Sequence, residues 1–315
     1  MTSASQVPPG PRLPKGDVVS PWASRTFSIW FPAFQWLART VPSEWVARLA
    51  SPTVERAIWS RRKVREAVLG NLSQVLSLPP GSRDVERAGL AMLANHSRLW
   101  IDLLRHSGPG DIDPESLISF REGTHFLHEA TDAGKGGILV TAHVGNFELG
   151  GFLLRKLGFE VAAVYQPDPS PVVERYRTEA RRKVGVEGIP VSSSVLSFIS
   201  VLRALEANKL VAMQGDRDVS GTGRRLPFFG ASASFPVGPF RLAAASGAQL
   251  LPVFVLLDEG GRYRALVKPP ISVEACGRET RDGTITRAMQ IFVSLLEETI
   301  RAYPSQWYQF TPFWE

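Results

Sequence analysis

The chain has 315 residues, of which 44% are apolar and 21% are charged, a composition typical of a folded globular protein and not of a disordered or fibrous one. Its single cysteine, Cys276, excludes an internal disulfide framework and a cysteine-rich zinc site. The formal net charge is +6, and the excess lies in the first third: residues 1–110 hold 14 basic and 7 acidic side chains, whereas residues 111–315 hold 22 and 23.

Residues 1–20 are rich in proline and predict a disordered lead-in. Residues 21–110 follow as a helical, basic segment that contains six of the eight tryptophans: Trp22, Trp30, Trp36, Trp45, Trp59 and Trp100. Because indole rings favour the membrane interface and cations favour anionic lipids, this composition predicts a segment that docks on an anionic membrane surface. The alternative is a helix buried against the rest of the domain. No recognised nucleic-acid motif accompanies the basic residues, so we expect no nucleic-acid partner.

The most apolar stretch of this segment does not predict a membrane span. Residues 27–38 form a run of about 12, interrupted by Pro32 and Gln35, and a helix that crosses a bilayer needs roughly 20. No small-residue cleavage pattern of a secretory signal peptide follows it. Further on, Ser51-Pro52 predicts the start of a helix, residues 71–81 a turn region, and residues 82–106 a longer amphipathic helix.

From about residue 121 the pattern changes to short apolar runs that alternate with helical segments, which is typical of a buried, largely parallel sheet. The sequence therefore predicts an α/β domain over residues 111–315, with a mixed, largely parallel sheet flanked by helices. The predicted strands are 137–142, 161–165, 210–213, 250–257 and 262–267, and the predicted helices are 124–133, 147–157, 172–184, 195–207, 237–246 and 284–302.

The most informative stretch is GGILVTAHVGNFELGG, residues 136–151. A buried strand ends near His143, Gly145 and Asn146 make a turn, and Asn146 is a good N-cap for a helix that begins at Phe147. The turn lets the carboxylate of Glu148 fold back toward the imidazole, where it would stabilise the imidazolium and make His143 a general base. The adjacent helix N-terminus offers backbone N–H groups to a phosphate or an oxyanion, so Gly145 and Asn146 are candidate substrate-binding residues. The alternative is a histidine that ends a strand and a glutamate exposed on a helix.

This stretch resembles the signature block of the lipid A biosynthesis lauroyl/myristoyl acyltransferases, membrane acyltransferases that share a His-x-x-x-x-Asp/Glu motif. The resemblance runs from about residue 60 to the C-terminus. Gly-Asp-Arg-Asp at 215–218 is more similar to the branch that acylates phosphatidylinositol mannosides. The other similar blocks are VYQP at 164–167, MQGDRDVS at 213–220, PFFG at 227–230, GP at 238–239, SGA at 246–248 and QWY at 306–308.

The resemblance implies a glycerophosphate-acyltransferase-like fold and an O-acyltransferase activity. His143 would deprotonate an acceptor hydroxyl, with Glu148 as its orienting partner. The hydroxyl oxygen would then attack the thioester of an acyl carrier protein or acyl-CoA, with no acyl-enzyme. The family implies no cofactor, and the sequence shows no metal-binding motif, so neither is expected. It also implies a peripheral location on the cytoplasmic face of the bacterial inner membrane.

A second polar cluster, Asp216, Arg217 and Asp218, follows the predicted strand 210–213. Adjacent parallel strands bring their carboxyl ends to the same edge of a sheet, so we expect this cluster to border His143. Arg217 is a candidate for binding a phosphate or phosphopantetheine group, and Asp216 is a candidate second carboxylate on the histidine. Arg241, with Arg224 and Arg225, would extend the anion-binding surface. The alternative is a turn held by local ion pairs.

Several functions remain open on the sequence alone. The leading hypothesis is transfer of a fatty acyl chain to a membrane glycolipid that resembles a lipid A precursor. Phosphatidylinositol mannosides and lysophospholipids are alternative acceptors. A different class is a hydrolase in which His143 activates water against a thioester or lipid ester, although no Gly-x-Ser-x-Gly elbow is present. A third class is a catalytically silent lipid-binding protein.

Overall fold

The computed structural model describes residues 36–38, 40–41, 45–46, 51–106, 113–168, 170–191, 195–219, 221–273 and 278–314. The predicted lead-in over residues 1–20, the tryptophans Trp22 and Trp30, most of the apolar run 27–38 and Cys276 lie outside these ranges. None of the described helices is long and apolar enough to cross a membrane.

Three helices of the basic segment pack against the C-terminal end of the chain. They are α1 (Ser51–Trp59), α2 (Arg62–Leu76) and α3 (Arg83–His106). Val68 and Leu72 of α2 meet Met92 and Leu99 of α3 in a buried cluster that also contains Tyr308. The predicted helix over 82–106 is confirmed, and this part of the segment shares a core with the rest of the protein.

The predicted turn over residues 71–81 is wrong in its first half, because α2 continues to Leu76. Asn71 is buried within the helix, and its side chain bonds the C-terminal tail. Its Nδ2 donates to the carbonyls of Gln309 and Thr311, and its Oδ1 accepts from the N–H of Phe313. An asparagine that local propensity assigns to a turn is thus held in a helix by long-range hydrogen bonds.

The rest of the described chain forms a mixed, largely parallel sheet flanked by helices, as predicted. Seven strands lie in the order β1-β9-β8-β2-β5-β3-β4, and only β8 and β9 pair antiparallel. The strands are β1 (Ile118–Glu122), β2 (Gly137–Thr141), β3 (Val161–Tyr165), β4 (Glu187–Pro190), β5 (Leu210–Gln214), β8 (Gln249–Leu257) and β9 (Tyr263–Val267).

The helices of this part are α4 (Pro114–Leu117), α5 (His125–Asp132), α6 (Phe147–Lys156), α7 (Pro171–Val184), α8 (Val195–Glu206), α9 (Gly238–Ser246) and α10 (Arg278–Ala302), followed by a 3₁₀ turn, Pro304–Gln306. Apolar side chains of α5 and α6 cover one face of the sheet, and those of α8, α9 and α10 cover the other. Central strands buried on both faces need continuous apolar runs, and β2 (GILVT) and β5 (LVAMQ) supply them.

A two-stranded hairpin, β6 (Arg224–Phe228) and β7 (Ala231–Phe235), stands apart from the main sheet and was not predicted. Phe229 and Gly230 form its turn, and both have positive φ, at 50° and 78°. Such a turn matches the twist of the two strands and favours glycine at its second position. The aromatic rings of Phe228 and Phe235 point into the core beside Trp307 and Phe313.

Candidate active site

Two neighbouring strands, β2 and β5, bring a histidine and an aspartate together at their carboxyl ends. The strands pair in parallel with Thr141 opposite Gln214, and His143 and Asp216 each follow two residues later. Nδ1 of His143 lies 2.8 Å from Oδ1 of Asp216, and Oδ2 of Asp216 accepts the backbone N–H of His143 at 3.1 Å. Both carboxylate oxygens of Asp216 therefore bind the same histidine.

This arrangement fixes the chemistry of the imidazole. Because the carboxylate takes the proton-bearing Nδ1, the lone pair of Nε2 is left to act as a base. Asp216 is 0% exposed and the His143 side chain 19%, so the acid is sealed from solvent and the ring is not. Burial lowers the pKa of His143, against the opposing effect of Asp216, and favours the neutral base. Burial alone would raise the pKa of Asp216, but the charge of the His143 imidazolium and the hydrogen bonds from His143 hold it below its usual value.

Gly145 and Asn146 form the turn between β2 and α6, as predicted. Gly145 has a φ of +62°, and a Cβ there would lie 2.0 Å from the carbonyl oxygen of Val255, so only glycine fits. The N–H of Gly145 donates to the carbonyl of Gln306 at 2.9 Å, and that of Asn146 donates to the carbonyl of Val255 at 2.7 Å. Asn146 caps α6 by accepting the N–H of Leu149 at 3.1 Å.

The backbone N–H groups of Gly145 and Asn146 thus bind carbonyls inside the protein. Besides its cap bond, Asn146 donates from Nδ2 to the Tyr263 hydroxyl at 3.0 Å, and the residue is buried. The sequence predicts Gly145 and Asn146 as substrate-binding residues. These groups instead hold the turn, because the backbone N–H groups of both residues and Nδ2 of Asn146 each donate to an acceptor in the protein.

Glu148 is not the hydrogen-bond partner of His143. Its carboxylate, 10% exposed, binds two arginines of α7: Arg181 Nη2 at 2.7 Å and Arg177 Nε at 3.1 Å, with Nη2 of Arg177 also in contact. Burial alone would raise the pKa of Glu148, but Arg181 and Arg177 outweigh it and lower the pKa. The carboxylate that binds the His143 ring is therefore Asp216, the candidate second carboxylate of the sequence analysis. Glu148, five positions after His143, lies in the first turn of α6, and its carboxylate points toward α7.

Arg217 lies beside the histidine, as expected from the strand order. Its Nη2 donates to the carbonyl of Tyr308, and its Nε is buried with no hydrogen-bond partner among the described residues. Burial lowers the pKa of Arg217, against the opposing effect of Asp216. The guanidinium is also close enough to lower the pKa of His143. A buried cation with an unmatched donor is suited to binding an anionic group.

The other residues of the predicted polar cluster and of its anion-binding surface have partners away from His143 or lie at the surface. Asp218 accepts the N–H of Gly223 at 2.7 Å and the hydroxyl of Ser234 at 2.9 Å, so it ties the loop after β5 to the β6–β7 hairpin. Arg224 pairs with Asp282 at 2.6 Å. Arg241 is exposed on α9, and no hydrogen bond or ion pair within the described ranges joins it to His143, Asp216 or Arg217. Asp218 therefore holds the loop after β5 against the hairpin, and Arg241 lies on the exposed side of α9.

The C-terminal tail closes one side of the site. The N–H of Tyr308 donates to the carbonyl of His143 at 2.8 Å, and Trp307 pairs with Val144 in an isolated bridge. His96 of α3 packs edge-on against Tyr308 and Phe310, with ring centroids 5.2 and 4.9 Å apart. Burial is the main cause that lowers the pKa of His96 to about 4, so this ring is a neutral part of the wall.

An apolar cavity lies between α6 and the sheet. Phe147 lines it, and the ring of Phe147 packs edge-on against the His143 imidazole with 5.4 Å between centroids. Glu148 and Arg181 are polar residues of its wall. Small residues on both walls leave the space open: Gly150 and Gly151 of α6, and Ala163, Ala212 and Ala265 of the strands. No cluster of three or more potential metal ligands occurs in the part of the chain that the structure describes.

Comparison with known proteins identifies the family. Residues 21–315 match the family described as bacterial lipid A biosynthesis acyltransferase. The chain belongs to this family. It is therefore an acyltransferase of lipid biosynthesis, an activity that requires an acyl donor and a lipid acceptor.

Its curated relatives carry a more specific name. The chain is 28% identical over 308 residues to a phosphatidylinositol mannoside acyltransferase of Mycobacterium tuberculosis strain CDC 1551, a match that covers 97% of this chain and 93% of the relative. It is 28% identical over 253 residues to the protein of that name from Mycolicibacterium smegmatis, covering 79% of each chain.

Proposed function

We propose that this acyltransferase moves a fatty acyl chain from a thioester donor, acyl-CoA or acyl carrier protein, to a hydroxyl of a mannosylated phosphatidylinositol. The names of the curated relatives and the Gly-Asp-Arg-Asp sequence at 215–218 both favour this acceptor over a lipid A precursor. The single observation that carries the chemistry is the buried pair of His143 and Asp216, with 2.8 Å between Nδ1 and Oδ1.

In the proposed reaction Nε2 of His143 takes the proton of the acceptor hydroxyl while the hydroxyl oxygen attacks the thioester carbonyl. A new C–O bond forms, the C–S bond breaks, and the thiolate leaves with the proton that His143 held. Asp216 stabilises the imidazolium between these two proton transfers and keeps the ring in the required tautomer. A thioester is already activated, so no acyl-enzyme intermediate is needed.

Arg217 is proposed to bind an anionic group next to the reacting atoms. Its buried, unmatched Nε and its proximity to His143 favour this role. Both substrates offer such a group, because the donor carries a phosphopantetheine phosphate and the acceptor carries a phosphodiester. A bidentate guanidinium contact would orient either phosphate.

The cavity under α6 is proposed to hold the acyl chain. Its small, apolar lining matches a hydrocarbon chain, which is bound by exclusion of water and not by polar contacts. Phe147 lines the cavity and touches the His143 ring, so a chain seated there would present its carbonyl to the base. Glu148, held by Arg177 and Arg181, would fix α6 against α7 at the same place.

Residues 21–110 are proposed to dock the enzyme on the cytoplasmic face of the bacterial inner membrane, with residues 111–315 as the acyltransferase domain. Trp36 and Trp45 support this, because their side chains are 65% and 55% exposed, which is unusual for large aromatic residues of a soluble surface. The run Arg61, Arg62, Lys63 and Arg65 lies in the same segment and supplies positive charge.

Purified enzyme with radiolabelled palmitoyl-CoA tests the proposal against three acceptors: a phosphatidylinositol mannoside, a lysophospholipid and a lipid A precursor. We expect acylated phosphatidylinositol mannoside from the wild type and none from His143→Ala. Acylation of another acceptor alone would overturn the acceptor assignment. Release of free palmitate with no acylated lipid would indicate a hydrolase, and wild-type turnover by His143→Ala would overturn the mechanism.

A further inference from the structure

A buried chain of polar side chains runs from helix α3 to the turn that carries His143. Asn146 donates from Nδ2 to the hydroxyl of Tyr263, the first residue of β9, at 3.0 Å. That hydroxyl donates to Oδ2 of Asp102 on α3. Arg98, one helical turn before Asp102, donates from Nε to both carboxylate oxygens, at 2.9 and 2.8 Å. Asn146, Tyr263 and Asp102 are each almost fully buried.

We propose that Tyr263 and Asp102 are positioning residues of the acyl-transfer reaction, which act on His143 through Asn146. Neither belongs to the His-x-x-x-x-Glu motif, and they lie 117 and 44 positions from Asn146 in the sequence. The inference rests on the proposed role of His143 as the base. It adds the way in which the protein holds the His143 imidazole in position.

The direction of the hydrogen bonds supports a positioning role. The Asp102 carboxylate can only accept, so the Tyr263 phenol gives its proton to Asp102 and turns a lone pair toward Asn146. Asn146 must then offer its amide Nδ2 to Tyr263 and keep Oδ1 for the N–H of Leu149. Burial raises the pKa of Tyr263 well above its usual value, so the phenol stays protonated. One side chain therefore sets the orientation of the next.

The consequence reaches the imidazole through the first turn of α6. With Oδ1 of Asn146 held in the cap, α6 starts at Phe147, and the ring of Phe147 packs against His143. Loss of the Tyr263 hydroxyl frees the Asn146 amide to rotate out of the cap. The helix start and the ring that supports His143 would then move, and displacements of about 1 Å at a catalytic group cost up to about 10²-fold in rate.

The direct test is Tyr263→Phe, which removes one oxygen and keeps the buried ring. We expect kcat to fall by about 10-fold to 10²-fold, with KM for acyl-CoA and for the glycolipid changed less than about threefold, because the substrates do not touch the buried hydroxyl. Tyr176→Phe is the matched control. The Tyr176 hydroxyl also bonds α3, at the carbonyl of Leu103 at 3.3 Å, but Tyr176 lies on α7 and not in the chain of side chains from Arg98 to Asn146. We expect kcat of this control to stay at the wild-type value.

A double-mutant cycle separates positioning from general stability. Asn146→Ser keeps an oxygen that can cap α6 but loses the amide Nδ2 group that reaches the Tyr263 hydroxyl. In the Asn146→Ser background, Tyr263→Phe should lower kcat by less than about twofold, because the link is already broken. Equal losses in both backgrounds would overturn the proposal, as would an unchanged kcat in Tyr263→Phe. All assays are run well below the melting temperature of each variant.

Asp102 supplies a second test that does not depend on Tyr263→Phe folding. Asp102→Asn keeps an oxygen that accepts the phenol proton, whereas Asp102→Ala leaves the phenol with no acceptor there. We expect Asp102→Asn to retain at least about five times the kcat of Asp102→Ala. Equal kcat values in these two variants would contradict the proposed positioning role of Asp102 and Tyr263. If His143→Ala remains active, the proposed function fails; if it is inactive while Tyr263→Phe is normal, only this inference fails.

Discussion

The carboxylate of Asp216 binds both the Nδ1 atom and the backbone N–H of His143, at 2.8 and 3.1 Å, from a position 73 residues further along the chain. One buried acid thereby fixes the rotation of the imidazole and the end of strand β2 together. An imidazole held in this way loses little conformational freedom when a substrate arrives, which favours its proposed role in proton transfer at a fixed distance.

The pH dependence of kcat/KM follows from the shifted pKa of His143. Burial lowers this pKa from its usual 6.5, and the base acts only when neutral. Activity should therefore persist as the pH falls to 6.5 and decline only below that value. Stopped-time assays at a series of pH values, with the fold monitored by circular dichroism, measure this decline of kcat/KM at acidic pH. A decline with its midpoint above pH 7 would contradict the assignment.

Asp216→Asn should shift the acidic decline of kcat/KM to lower pH. The Asp216 carboxylate is a cause that raises the pKa of His143, in opposition to burial. Its removal lowers the pKa further, so the acidic limb of the residual activity should shift to lower pH. A shift of the decline to higher pH would mean that the titration of a group other than His143 causes it.

Glu148 is expected to matter for stability more than for proton transfer. Glu148→Gln leaves Arg177 and Arg181 without their buried counter-charge, and breaking a buried ion pair costs about 3–5 kcal/mol. Because the pKa of Glu148 is lowered in the folded state, its contribution is present above pH 4.5 and is lost as the pH falls through the folded pKa. Urea denaturation at pH 7 measures the effect.

Glu66→Gln is the control for this prediction. Glu66 pairs with Arg62 on the surface of α2, where both side chains are exposed, and such pairs contribute little. The urea midpoint of this variant should equal that of the wild type. An equal, small shift in Glu148→Gln and Glu66→Gln would show that the Glu148 cluster carries no special stability.

The strand–turn–helix motif was predictable because every signal in it is local: the apolar run of β2, the Gly145–Asn146 turn and the cap of α6. The sequence offered two candidate carboxylates for His143, Glu148 and Asp216, and could not choose between them, because the position of Asp216 beside the ring depends on strand order. Strand β5 inserts between β2 and β3, and no local pattern encodes that crossover. Glu148, five residues after His143, was the nearer candidate in the sequence. No sequence signal indicated that α7 would place two arginines against the Glu148 carboxylate.

Membrane docking should depend on the exposed tryptophans. The double variant Trp36→Ala/Trp45→Ala should bind anionic vesicles several-fold more weakly than the wild type, because it loses two interfacial anchors. Co-sedimentation with phosphatidylglycerol vesicles measures this, and binding should weaken in high salt. Phe198→Ala, an exposed aromatic of α8, is the matched control and should bind normally. Wild-type binding by the double variant would reject the docking role.

The catalytic assignment of Asp216 is tested most directly by the single-turnover rate of acyl transfer in Asp216→Asn, compared with Glu148→Gln at a temperature where both are folded. We predict that Asp216→Asn loses about 10²-fold to 10⁴-fold, because the asparagine amide cannot stabilise the imidazolium and favours the wrong tautomer, and that Glu148→Gln loses far less. A rate for Asp216→Asn within about threefold of the wild type, or a larger loss in Glu148→Gln, would contradict the account.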